Sequence, residues 1–258
     1  MRLFAISDIH VDYDDNAKWV GALSRSDYRD DTLMVAGDIS DRLPVLRWCL
    51  RELSARFRNT LFVPGNHELW VVRDTPQQHS LDKFELVAGA ATEAGASMQP
   101  LRHDDLMIVP LLGWYDFSFG FPCDMLRRAW MDFIACRWPN GMTEPEVSRH
   151  FSALNPTQVP ADVQHVVTFS HFMPRLDLMP AWIPQAQRKL YPVLGATRID
   201  SELRQLGART HVYGHTHINR QKTIDGITYI NNAFGYPHEH HFGTRGLLEV
   251  SVAQESEA

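Results

Sequence analysis

Leu33-Met34-Val35-Ala36-Gly37-Asp38-Ile39-Ser40-Asp41 runs four apolar residues into a glycine and two carboxylates. Short apolar runs bounded by turn residues read as buried strands. The same arrangement recurs on both sides of it. Leu3-Phe4-Ala5-Ile6 leads into Ser7-Asp8-Ile9-His10, and Leu61-Phe62-Val63 into Pro64-Gly65-Asn66-His67-Glu68. Val166-Val167-Thr168-Phe169 leads into Ser170-His171, and His211-Val212-Tyr213 into Gly214-His215-Thr216-His217. Open α/β sheets bind ligands at the carboxyl ends of their strands. One such fold brings Asp8, His10, Asp38, Asn66, His171, His215 and His217 to one edge. Carboxylate, amide and imidazole groups together suit divalent Mn, Fe, Co or Zn. The set is too large for one ion and about enough for two.

Helical segments fit between these strands. Asn16 is placed to cap a helix carrying Trp19, Val20 and Leu23, and Asp41 to cap one with Pro44 in its first turn. Ser80 starts a third helix that stops near Gly95. Thr143 and Glu146 have capping-box spacing, and a last helix is expected from about Asp200 to Gly207. Leu106 to Leu112 reads as a further strand. Asp225-Gly226 between β-type residues signals a hairpin, and Gly246 to Val252 a final strand before a loose tail at 253–258. Strands and helices alternate early and a hairpin comes late, so a mixed-sheet α/β fold is expected. The candidate ligands span residues 8 to 217, which argues for one domain over 1–258.

The 258 residues allow a sizeable core, and 44% hydrophobic with 22% charged residues is ordinary for a globular chain. A net charge of −6 disfavours a general nucleic-acid surface. Cys49, Cys123 and Cys136 show no C-x-x-C spacing, and reduced thiols fit a cytoplasmic setting. The first strand begins at residue 3, so no cleaved signal peptide is expected. No apolar run reaches membrane-span length.

Taken in order, D-x-H, G-D-x-x-D, G-N-H-E, a lone histidine and G-H-x-H resemble the calcineurin-like metallophosphoesterases. The resemblance runs from Asp8 to His217. It implies a two-sheet β-sandwich flanked by helices, with a dinuclear metal site at the strand ends. It also implies that Asp8, His10 and His217 hold one ion, that Asn66, His171 and His215 hold the other, and that Asp38 bridges them. The family's general-acid histidine falls on His67. In the protein-phosphatase branch its acidic partner falls on Asp41 and a phosphate-binding arginine on Arg42. Asn66, His67 and Arg42 are thereby the expected substrate contacts. Residues around Trp114-Tyr115 and Ser170 to Arg175 also look like a bacterial and plant branch of small phosphoesterases. Mn is the ion expected to support activity in vitro.

The implied chemistry accounts for the residue types. Two metals clamp phosphoryl oxygens and generate hydroxide near neutral pH. Two divalent ions, two aspartates and one bridging hydroxide leave roughly one positive charge to attract phosphate. An amide at Asn66 ligates without cancelling it. The imidazoles must be neutral to ligate, with their second nitrogens donating to carbonyls or carboxylates. His67, adjacent to a ligand, faces the substrate and as imidazolium would protonate the leaving oxygen. Asp41 would hold that ring in its charged form.

Phosphomonoesterase, phosphodiesterase and protein phosphatase remain open at this stage, and so does a non-catalytic metal-binding scaffold of the same fold. Glu68 reads as structural. His238, Glu239, His240 and His241 read as a polar loop in preference to a metal tract. The aromatic stretch 113–138 reads mainly as packing, with Trp114 and Tyr115 kept as pocket candidates. The proline-rich stretch 173–198 reads as a lid, a partner surface or a wrapped connection.

Overall fold

The computed structural model describes residues 1–75, 77–239 and 245–251. In its first part β1 (Leu3–Ile6), α1 (Asp14–Ala22), β2 (Thr32–Ala36), α2 (Leu43–Ser54), β3 (Asn59–Val63), α3 (Ser80–Glu93) and β4 (Ala96–Ser97) alternate along the chain. There follow β5 (Leu101–His103), β6 (Leu106–Pro110), α4 (Asp124–Ala129), α5 (Asp132–Ala135), α6 (Glu144–Ser152) and β7 (His165–Ser170). The last elements are α7 (Thr197–Gln205), β8 (Thr210–Tyr213), β9 (Arg220–Ile224), β10 (Ile227–Asn231) and β11 (Leu248–Glu249).

The strands form two mixed sheets, ordered β11-β1-β2-β3-β4 and β5-β6-β7-β8-β10-β9. Side chains alternate across each strand, and here both faces are buried. Leu3, Ala5, Met34, Ala36, Leu61 and Val63 point inward to meet Ile108, Val167, Phe169, Val212 and Ile230 of the second sheet. Ile6, Leu33, Val35 and Phe62 point outward against Val20, Leu46, Leu50 and Val87 of the first three helices. Val109 and Tyr213 do the same on the other side, against Trp114, Phe151 and Leu203. Continuous apolar runs are what strands covered on both faces require. The two-sheet α/β sandwich is therefore observed as expected.

The sheets are laced together at the end that matters. After β10 the chain crosses to β1: Ser7 N donates to Asn232 O at 3.0 Å, and Phe234 N to Ser7 O at 2.8 Å. The Asn232 amide donates to Ala5 O at 2.9 Å, and that of Asn231 to Tyr213 O and Gly214 O at 3.0 Å each.

Several local expectations need correction. Asn16 does not cap α1. Tyr13 stands at the cap, while Asn16 is buried inside the helix and donates to Ile9 O at 2.6 Å and Gly235 O at 3.1 Å. Arg42, not Asp41, is the cap position of α2. The last helix starts at Thr197, three residues earlier than expected. The final strand shrinks to Leu248–Glu249, antiparallel to β1. Ser80, the Thr143–Glu146 box (2.8 Å) and the Asp225-Gly226 hairpin stand where expected. The tail at 253–258 lies outside the described residues. No helix among the described residues is long and apolar enough to cross a membrane.

Candidate metal centre

The seven candidate ligands leave the ends of β1, β2, β3, β7 and β8. Five of them hold left-handed backbone: Asp8 (φ 53°), His10 (44°), Asp38 (56°), His215 (67°) and His217 (52°). Non-glycine residues seldom adopt that region, and such strain gathers at functional sites. It is sustained here by tight packing. A Cβ on Gly65 would sit 2.1 Å from Asp38 Oδ1 and 2.7 Å from His171 Cε1, so the Asp38 carboxylate and the His171 ring lie directly on glycine backbone. Glu68 fastens the loops, as its structural reading implied. Its fully buried carboxylate accepts from Asp38 N (2.9 Å), Ile39 N (2.7 Å), Ser40 N (3.0 Å) and Gly65 N (2.6 Å). Burial lifts its pKa to about 7 against those four bonds.

The hydrogen-bond partners fix which ring nitrogens carry protons. His171 Nδ1 faces Ala36 O at 2.9 Å, a carbonyl that can only accept. Nδ1 therefore carries the proton and Nε2 is bare in the neutral ring. His215 Nε2 faces Val193 O at 3.0 Å, which leaves its Nδ1 bare. Asn66 spends its amide nitrogen on Asp132 Oδ1 at 2.8 Å, so its oxygen faces inward. These three acceptors meet: His171 Nε2 lies 3.0 Å from both Asn66 Oδ1 and His215 Nδ1, and 3.5 Å from Asp38 Oδ1. Acceptors without a proton between them repel unless a cation joins them.

A second convergence lies alongside. His217 Nδ1 contacts Glu239 Oε2 at 2.7 Å, which turns Nε2 toward Asp8 Oδ1 at 3.2 Å and His10 Nε2 at 3.3 Å. Burial opposes charge on His217, but Asp8 and Glu239 outweigh it and raise its pKa to about 10. Burial keeps His10, His171 and His215 neutral, with lowered pKa values, as ligation requires. Two of the three acid and histidine groupings that fit a metal among the described residues coincide with these points: Asp8-His10-His217 and Asp38-His171-His215. The third, His10-Asp38-His67, gives His67 a possible ligand place beside its expected acid role. The donor chemistry fits divalent ions at both points.

His67 is set apart from its expected partner. Its ring stacks on Trp70 at 3.8 Å, with Nε2 3.7 Å from Asp38 Oδ2. Asp41 accepts from Arg73 Nε at 2.8 Å, and no hydrogen bond or ion pair joins it to His67 among the described residues. Burial, then His171, lowers the His67 pKa to about 3. Arg42 is likewise engaged: Nε donates to Asp12 Oδ1 at 2.9 Å from a half-exposed position. The sequence pattern places Asp41 and Arg42 near the site, but local ion pairs claim both.

A cleft of about 270 Å³ opens over the centre, bordered by His67, Trp70, Trp130, Asp132, His217 and Tyr236. Trp114 and Tyr115 do not line it. Both are fully buried, Trp114 stacked on Tyr115 and edge-on to Trp138 and Phe172. The pocket expectation for them fails because four aromatic rings close around each other.

The described features agree with a family match. The calcineurin-like phosphoesterase profile matches residues 1–219. The chain belongs to that family. It is 28% identical over 262 residues to the [acyl-carrier-protein] phosphodiesterase PptH of Mycobacterium tuberculosis, covering 92% of this chain and 78% of that protein. The crystal structure of the phosphopantetheinyl hydrolase PptH from the same organism superimposes with a TM-score of 0.79 at 25% identity, over 96% of this chain and 95% of that one. The chain is thus a phosphoric-ester hydrolase of a family that uses divalent metal ions.

Two residues of the metallophosphoesterase site escaped sequence reading. Asp132 is fully buried and accepts from Asn66 Nδ2 (2.8 Å), Trp70 Nε1 (2.7 Å) and Trp130 Nε1 (2.7 Å). It orients a candidate ligand and the ring under His67 together. The only local trace is an acid inside an aromatic run. Glu239 was read as part of a polar loop, yet it orients His217. His238 beside it stacks on Tyr236 at 5.6 Å, while His240 and His241 lie outside the described residues.

Proposed function

We propose that this chain hydrolyses a phosphodiester joining a phosphopantetheinyl group to a carrier protein, at a site holding two divalent ions. The observation that supports the two-ion reading is a pair of neighbouring convergences, one of bare acceptors at His171-Asn66-His215 and one of a carboxylate with two imidazoles at Asp8-His10-His217. Asp38, whose two oxygens reach toward His171 and His67, would be the carboxylate shared by the two ions. The likeness to PptH over nearly the whole chain supports the diester and its class.

Ions bound there polarise phosphoryl oxygens and bring the pKa of water toward neutrality. The protein does the rest. Asp132 keeps the Asn66 oxygen facing inward, and Glu239 and the Ala36 and Val193 carbonyls fix the imidazole tautomers. Hydrolysis adds one water across the P–O bond: its oxygen goes to phosphorus and a proton to the departing carrier hydroxyl. His67 is the proton donor. Burial disfavours its charge, so the anionic ester, once seated beside the ring, supplies the partner that Asp41 does not. Mn is the ion we assign, the whole of 1–258 acts as one unit, and the setting is cytoplasmic.

Phosphopantetheinylated acyl carrier protein incubated with Mn-loaded protein should lose the phosphopantetheinyl mass and return a free hydroxyl. Chelation before mixing should stop the reaction. Turnover of p-nitrophenyl phosphate with none of bis-p-nitrophenyl phosphate or the carrier would overturn the diester reading.

A further inference from the structure

Residues 173–196 form a closed loop beside the centre. Met173 N donates to Leu194 O at 3.0 Å, and Ala196 N to Met173 O at 3.1 Å. Gly195 is required at this pinch, since a Cβ there would lie 1.8 Å from Met173 O. From β9, Arg220 Nη1 donates to Leu178 O at 2.6 Å and Lys222 Nζ to Asp177 O at 2.9 Å. Val193 O in turn accepts from the candidate ligand His215 at 3.0 Å. The loop is therefore fastened to the metal centre and acts as a wall.

Under that wall lies a cavity of about 200 Å³. Met179, Trp182, Ile183, Leu190 and Leu194 line it from the loop, and Ile218 from the opposite side. His217 and Glu239 also line it. His217 also borders the cleft over the metal centre, so cavity and cleft meet at one imidazole. No lysine or arginine lines the cavity among the described residues. His217 and Glu239 are already paired with each other at 2.7 Å. A second phosphate or a carboxylate would find no unpaired cation there and would meet Glu239. The polar groups left over are the amide of Gln187 and the hydroxyls of Tyr191 and Thr216. The volume lies below the roughly 300–1,000 Å³ of pockets that bury whole drug-sized ligands, so a slender chain fits better than a nucleoside.

We infer that this cavity is the subsite for the uncharged chain attached to the phosphoryl group, an extended alkyl-amide arm with no second charge. The inference rests on the diester reading above and adds where the arm lies. The apolar lining meets its carbon skeleton, and Gln187 and Thr216 meet an amide. Trp182, 63% exposed and part of the lining, offers its ring to the chain. The arm stays with phosphate after cleavage, so an alkyl phosphate resembles the product.

Binding of n-alkyl phosphates from methyl to octyl to the Mn-loaded protein, measured by calorimetry, tests this without turnover. Inorganic phosphate serves as the chainless reference for each protein. Affinity should rise about threefold to fourfold per buried methylene and then level off when the cavity is full. Leu190→Trp, which fills the cavity, should flatten the series. Leu190→Asp, which puts charge into it, should do the same and serves if the larger side chain disturbs folding. Equal affinity from methyl to octyl in the unaltered protein would overturn the inference, as would a slope that survives both variants. A steep series without cleavage of the carrier would keep the subsite and reject the diester reading. Cleavage with a flat series would do the reverse.

Discussion

Residues 7–68 and residues 111–196 build the same cleft by different means. The first stretch supplies Asp8, His10, Asp38, Asn66 and His67 from three short loops, each aimed by its own backbone. Left-handed residues, glycine contacts and the four bonds to Glu68 set their directions within a few residues of each strand end. The second stretch supplies one candidate ligand, His171. Otherwise it works on side chains it did not provide. Asp132 holds Asn66 across 66 positions, Val193 holds His215 across 22, and residues 179–194 wall the cavity. The first stretch thus carries the chemistry, and the second decides how the chemistry is oriented and what it meets.

Substitutions can break that contrast, beginning with the largest effect. Asp38→Ala removes the carboxylate proposed to serve both ions. Elemental analysis should find both ions lost together, and turnover should fall by at least about a thousandfold, matching several kcal/mol of charge stabilisation. One ion in the fully loaded native protein would refute the pairing. His67→Ala should retain both ions and lose ~10²–10⁴-fold on alkyl esters, while losing far less on p-nitrophenyl esters, whose leaving group needs no proton. Equal losses would make His67 a positioning residue. Loss of an ion would make the His10-Asp38-His67 grouping a metal site instead.

The second stretch should show smaller effects of another kind. Asp132→Ala frees the Asn66 amide to turn. Titration with Mn should then show affinity at the Asn66 site weakened ~10–100-fold, as outer partners of metal ligands typically contribute, with the Asp8 site little changed. An unchanged affinity would mean that Asn66 is held by its own loop, and the contrast would collapse. Asp41→Asn sharpens it from the other side. Since Asp41 bonds Arg73 and not His67, kcat on alkyl esters should change by less than about threefold, far below the ~10²–10⁴-fold expected of a general acid. A drop near that of His67→Ala would restore the Asp41–His67 partnership.

The strand cores and the candidate ligands were legible because each depends on neighbours in sequence. An apolar run ending in Gly-Asp or Gly-His states both the strand and the group at its end. The hairpin at Asp225-Gly226 was legible for the same reason, with φ values of 50° and 77° that these two residues tolerate. Helix ends were less legible. Asn16 and Asp41 have cap chemistry, yet burial drew one to two distant carbonyls and an arginine drew the other outward. Trp114 and Tyr115 resembled pocket walls until Trp138 and Phe172 enclosed them.

The sequence by itself therefore determined a mixed-sheet α/β fold, the strand ends at which metal-binding groups gather, and the motif order of the family, whose resemblance implies the two sheets. Those follow from periodicity and from residue types at short spacing. Only the tertiary structure decided that Asp132 and Glu239 orient the ligands, that Asp41 and Arg42 are held by other charges, and that an apolar cavity joins the cleft at His217. Each of these depends on which side chains meet across tens of residues, and a local pattern does not encode such meetings.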